Sequence, residues 1–228
     1  MKSNCIAKMT LLFLVLIILM FGCTHNIPLS MNLQIQKPVE RKIPKKVLVI
    51  INKETAELVI RHKPGAFADT LSFAAGESIS ANLITALRAM FETVDLANDY
   101  PAGPAIHDYY LVVKLREHKF DWGSSAFSDW KYNVNVDYDL LDPSKKLLLN
   151  VATKGSSENK ITGAEKGSII ATGIAVWVLT PVAPIAAVSG AGRGYSVMGK
   201  TWDDALADSL TQLMNNLDRY FLQLMPKK

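Results

Sequence analysis

The sequence predicts an α+β fold: a two-layer sandwich in which two helices cover a small mixed or antiparallel sheet, with an apolar helical insert before the C-terminal helix. Three patterns carry this expectation. Over residues 131–140, Tyr132, Val134, Val136, Tyr138 and Leu140 alternate without a break with polar neighbours, which gives a strand one apolar face and one wet face. Over residues 77–94 the period changes, and Ile79, Leu83, Leu87, Met90, Phe91 and Val94 share one helical face. A second helical stripe (Ala205, Leu206, Leu210, Leu213, Leu217, Phe221 and Leu224) closes the chain. Helices packed on one face of a sheet satisfy the burial needs of both element types.

Taken in order, residues 46–51 are a short apolar run rich in β-branched side chains and read as a buried strand. A weaker strand is expected at 58–61, a loop from Gly65 to Asp69 and a short strand at 70–73. Gly76 precedes the helix over 77–94, and Glu77 complements its first turn. Pro101, Gly103 and Pro104 mark a loop. Residues 109–118 follow as a strand with Tyr109, Leu111, Val113 and Leu115 inward. After the 131–140 strand, Asp142-Pro143-Ser144-Lys145 is a turn, and 147–154 returns as its partner. Thr201 is expected to cap the last helix, with Asp203 and Asp204 in its first turn; the helix runs to about Leu224, and Pro226 helps to stop it.

The N-terminus has a different character. Lys2 and Lys8 precede an uncharged apolar run over 10–22 that ends in the small residue Gly22, the pattern of a secretory signal. Leu19-Met20-Phe21-Gly22-Cys23 resembles the bacterial lipobox. That resemblance implies cleavage before Cys23, a diacylglycerol on its thiol and an acyl chain on the new N-terminus, with no other cofactor. Thr24 rather than Asp follows, which by similarity to enterobacterial sorting implies an outer-membrane anchor with the domain facing the periplasm. An uncleaved membrane anchor is the alternative. The expected organisation is a signal peptide over 1–22, a lipidated flexible tether over 23–45 and a single periplasmic domain over 46–228. The tether shows no sustained period and holds Pro28, Pro38 and Pro44. Its basic residues Lys37, Arg41, Lys42 and Lys45, with Lys46, stay solvated or touch anionic headgroups. Cys5 leaves with the signal, so no intrachain disulfide is expected.

Lys and Arg number 25 against 21 Asp and Glu; without Lys2 and Lys8 the balance is 23 to 21. So nearly neutral a chain offers no strong field for nucleic acid. Four histidines (His25, His62, His107 and His118) show no zinc-type spacing, and His118 reads as a surface residue. Neither G-x-S-x-G nor a P-loop occurs. Gly190-Ala-Gly192-Arg-Gly194 reads as a flexible hinge, and Asp137 and Asp139 as ordinary residues of a wet sheet face. No catalytic or metal-binding residue is expected.

Between Lys166 and Arg193 lie 26 uncharged residues, divided by Pro181 and Pro184. Length alone would allow a membrane span. The insert over 167–192 is open to three readings: a span, a hairpin packed within the monomer, or an exposed hairpin covered by another copy or by lipid. Phe120, Trp122, Phe127, Trp130 and Tyr132 crowd a second short stretch. They either fold onto the sheet or meet a partner or headgroups. Trp122, Phe127, Trp130, Trp177, Pro181 and Pro184 are therefore the candidate contact residues.

Element order, and Gly76-Glu77 opening a helix that ends in Phe91-Glu-Thr-Val94, make residues 46–224 resemble small periplasmic lipoproteins of Gram-negative bacteria. These include YajG-like lipoproteins, PelC polysaccharide-export lipoproteins and folds related to the TolB N-terminal domain. The apolar insert is similar to segments of TraT surface-exclusion lipoproteins, where such segments accompany ring assembly. The resemblance implies a non-enzymatic outer-membrane lipoprotein that is an accessory or assembly subunit of a secretion or export complex, bound to the membrane, a protein partner or further copies of itself. A self-assembling ring or pore is the alternative.

Overall fold

A computed structural model describes residues 24–33, 35, 42–62, 70–121, 130–159 and 186–224, with side chains of the last segment described from Met198 onward. The elements are β1 (Thr24–Asn26), β2 (Ile43–Ile51), α1 (Lys53–Ala56), β3 (Ile60–His62), β4 (Thr70–Phe73), α2 (Ala75–Met90), β5 (Phe91–Ala97), β6 (Tyr109–Asp121), β7 (Trp130–Leu141), β8 (Leu147–Asn159) and α3 (Ala186–Leu224). A five-stranded sheet has the order β5-β2-β6-β7-β8, and a smaller one the order β1-β4-β3. β6, β7 and β8 form an antiparallel meander, whereas β2 is parallel to both β5 and β6, so the sheet is mixed.

The α+β sandwich is present as expected. Val47, Val49 and Ile51 of β2, Leu111 and Val113 of β6, and Tyr132, Val134, Val136, Tyr138 and Leu140 of β7 share one core with α2 and α3. From α2 come Ile79, Leu83, Leu87 and Met90; from α3 come Trp202, Leu206, Leu210, Leu213 and Leu217. The opposite face of the sheet is divided. Leu48, Ile50, Tyr110 and Leu141 form a small apolar cluster with Tyr100 against it. Beyond that cluster the face is wet: Lys114 pairs with Asp139 at 2.6 Å and Arg116 with Asp137 at 2.5 Å. Asp137 and Asp139 are thus held by cross-strand partners.

Four expectations are corrected. The first helix stops at Met90, because Phe91 is already extended (φ −109°, ψ 156°) and residues 91–97 are β5, paired in parallel with β2. Phe91 and Val94 keep helical spacing by coincidence; the free edge of β2 offers their backbone a full ladder, a choice that local pattern does not reveal. The last helix starts at Ala186, not Thr201, so residues 186–192 of the insert and the supposed hinge at 190–194 are helical. Thr201 is buried inside that helix, and its Oγ1 accepts a hydrogen bond from Asn159 Nδ2 at 2.7 Å. Glycine's weak helix propensity is overridden by context. β6 and β8 also run longer than their alternation suggested, to Asp121 and Asn159.

The fourth correction concerns the tether. Residues 24–33 are part of the fold, and Ile43 already belongs to β2 and is buried. Ile27 is 4% exposed in the main core, with Leu29, Leu33 and Ile35 packed against it.

Candidate membrane-facing pole

The segment following Cys23 is fixed to three elements in turn. β1 lies parallel to β4, with Thr24 opposite Thr70 and Asn26 opposite Ser72. The Ile27 amide donates to the Ser72 carbonyl at 2.8 Å, and Ser72 Oγ donates to Asn26 Oδ1 at 2.6 Å. Next, Pro28 crosses α3 at Gly199, where a Cβ would lie 2.7 Å from the Pro28 carbonyl oxygen. One turn further along α3 the Ser30 amide donates to both carboxylate oxygens of Asp203, at 3.0 and 3.2 Å. Asn82 of α2 completes the attachment: its Nδ2 donates to the Ser30 carbonyl at 2.8 Å, and its Oδ1 accepts from the Leu33 amide at 2.8 Å. As residue number rises the segment moves inward along the helices, which leaves Thr24 exposed at one end of the molecule.

Other chain ends gather at the same pole. β6 ends at Asp121 and β7 begins at Trp130, which pairs with Asn159, the last residue of β8. Asn159 in turn holds Thr201, so the part of α3 before Thr201 runs on past the sheet. The ring of His62, at the end of β3, lies 6.3 Å from that of Phe120, and Phe120 packs on Trp130 at 6.2 Å and on Tyr132 at 5.4 Å. The connections over 63–69, 122–129 and 160–185 therefore all leave the described fold at this end.

Of the sequence-derived contact residues, Trp130 lies among the described residues: it is 9% exposed and packed on Phe120. Cys23, Trp122, Phe127, Trp177, Pro181 and Pro184 lie outside the described residues. His118 is exposed, with Nδ1 3.5 Å from the Tyr132 hydroxyl. At the opposite end of the sheet, His107 Nε2 lies 2.9 Å from Asp95 Oδ2, a buried imidazole beside a carboxylate that sequence reading passed over. Their separation in sequence gave no motif by which to find the pair. Near it the Lys46 amide, and then the Lys45 ammonium at 2.9 Å, hold Asp108 below the usual carboxylate range. Among the described residues no group of His, Cys, Asp and Glu could hold a metal, and no helix is long and apolar enough to cross a membrane.

Asp203 gives the pole a pH signature. Burial pushes its carboxyl up to about 6 against the Ser30 amide, which favours the charged form, and Asp204 adds a smaller push. The folded chain thus holds this proton more tightly than the unfolded chain. The stability the group contributes is full below its ordinary value of 3.8 and is lost as pH rises through about 6. Asp203→Asn keeps an acceptor for Ser30 without the buried charge. It should raise stability at pH 8 by up to about 1 kcal/mol, discounted for partial exposure, and flatten the pH dependence between about 4 and 7. Urea unfolding at several pH values checks this; an unchanged slope in the variant would contradict it.

No protein-family model matches the chain, and neither does any curated protein. Among solved structures it is similar to a DUF330-family protein of Xanthomonas campestris, with a TM-score of 0.49 and 10% identity over 89% of this chain and 98% of that one. A minor lipoprotein from Acinetobacter baumannii follows with a TM-score of 0.38 and 12% identity, over 78% and 96% of the two chains. A dodecameric PelC variant from Paraburkholderia phytofirmans gives 0.30 and 18%, over 72% and 87%. At these levels function has to be argued from the chain's own residues.

Proposed function

We propose that the chain is a non-enzymatic lipoprotein, anchored through Cys23 in the outer membrane and facing the periplasm, that is an accessory or assembly subunit of an envelope complex. The observation that carries this reading is the basic start, the apolar run over 10–22 and Gly22-Cys23, joined directly to the first strand of a folded domain. One acyl chain holds a protein only marginally, whereas several hold it almost permanently, at about 0.8 kcal/mol per buried methylene. Labelled palmitate should enter the wild-type protein and not Cys23→Ala. Native protein extracted in mild detergent should run as a complex larger than one chain by light scattering. A strict monomer with no cross-linked envelope partner would remove the assembly role.

One observation favours the second reading, a self-assembling ring or pore. The strand that precedes the apolar insert, β8, ends at Asn159 beside Thr201 of α3, at the same pole as Thr24. Since Ala186 already belongs to α3, the informative deletion is 167–185. Loss of oligomers with an intact sheet would support the insert as their membrane or assembly element; unchanged oligomers would exclude it.

A further inference from the structure

We infer that the folded domain is held against the bilayer, with the pole formed by Thr24, the end of β3, the Asp121–Trp130–Asn159 edge of the sheet and the part of α3 that runs past that edge turned to the lipid surface. The partner is a phospholipid surface, and the inference rests on the reading above that residues 1–23 deliver a membrane anchor. What argues for it is where that anchor meets the fold. An extended tether over 24–45 would have allowed a stand-off of about 75 Å, at roughly 3.3–3.6 Å per residue. Instead Thr24 is already paired with Thr70, and Ile27 is buried, so only one peptide unit of about 3.8 Å separates Cys23 from the first strand. Acyl chains on Cys23 would therefore hold the domain with little slack.

The rest of the pole suits a headgroup layer. Arg61, Lys119 and Lys131 are exposed there among Asp121 and Glu158, and the Phe120–Trp130–Tyr132 aromatic group lies just beneath. A few surface basic residues add about 1 kcal/mol each against anionic lipid, modest beside the anchor but enough to bias orientation. In contrast the β7–β8 turn, Asp142 to Lys146, sits at the other end of strands about 40 Å long. The two ends are therefore distinguishable by any probe that senses lipid over a few nanometres.

The test uses full-length, membrane-assembled protein carrying Cys5→Ser and one added cysteine, Lys119→Cys at the pole or Ser144→Cys at the far turn. Each is labelled with a fluorophore and reconstituted in 3:1 phosphatidylethanolamine:phosphatidylglycerol vesicles containing headgroup-nitroxide lipid. Lys119→Cys should be quenched at least fivefold more than Ser144→Cys. Inserting twelve Gly/Ser residues between Thr24 and Cys23 should abolish the difference while the protein still sediments with vesicles. Equal, weak quenching at both positions without the linker would overturn the apposition. Failure of the underlying reading shows separately. Parent protein without an added cysteine would then take up fluorophore at Cys23 and no palmitate, or would not sediment with membranes at all.

Discussion

Trp202→Ala should lower stability by about 4 kcal/mol, the size expected when a wholly enclosed indole leaves a cavity that its surroundings only partly fill. Trp202 has no exposed surface. Its ring lies edge-on to Tyr132 of β7 at 5.1 Å and tilted over Phe73 of β4 at 5.6 Å, and its Nε1 donates to Ser78 Oγ of α2 at 3.2 Å. One side chain thus ties α3 to the large sheet, the small sheet and the other helix. Aromatic pairs add about 0.5–1.5 kcal/mol each beyond burial. Trp202→Phe should recover part of the loss, since it refills most of the volume but cannot satisfy Ser78. Urea midpoints of the three proteins check the order; a loss below about 1 kcal/mol in the alanine variant would show that this junction does not organise the core.

Gly155→Ala should cost about 3 kcal/mol or more, although it adds a single methyl group. Gly155 lies in β8 opposite Val134, and α3 passes so close that a Cβ there would collide with the carbonyl oxygen of Ala205 and sit 3.1 Å from Ser209 Cβ. The colliding atom is backbone, so no rotamer change relieves it. To make room α3 must lift from the sheet, which breaks the seam on either side. That seam consists of Thr153 Oγ1 to Ser209 Oγ at 2.6 Å, the Ser156 amide to Asp208 at 3.3 Å, and Gln212 bonded to both the amide and the carbonyl of Lys154. Thr153 and Ser209 are buried, so separating them also takes from the Ser209 hydroxyl its bond to Thr153, whose own Oγ1 still donates to the Val136 carbonyl. Gly103→Ala is the control, because a Cβ there meets nothing within 4 Å and the substitution should be close to neutral. Equal urea midpoints for the two alanine variants would contradict the close approach of α3.

Which parts of this fold could be read from the chain follows from the range of the forces involved. Alternation along β7 and the stripes of α2 and α3 are local patterns, and the burial of Tyr132, Val134, Val136, Tyr138 and Leu140 follows them residue by residue. β5 was hidden because Phe91 and Val94 satisfy a helix or a strand equally well, and the deciding partner, β2, lies more than forty residues earlier. The early start of α3 was hidden by three glycines whose low propensity argued for a hinge. The supposed tether misled for a related reason. Prolines and absent periodicity also describe a segment whose backbone is satisfied by other elements, as Ser30 is by Asp203 at 173 residues' separation.

At the pole the same division holds. The sequence by itself determined that an apolar, basic-led segment ends at Gly22-Cys23, that a mixed helix–sheet core follows, and which faces of β7, α2 and α3 are buried, because each is a matter of composition or of a period shorter than four residues. Only the tertiary structure decided that the chain from Thr24 is held in the fold, that Trp130 is packed inward, and that Thr24, Asp121, Trp130 and Asn159 all lie at one end. Those facts depend on hydrogen bonds and packing between residues far apart in the chain, whose pairing no local pattern encodes.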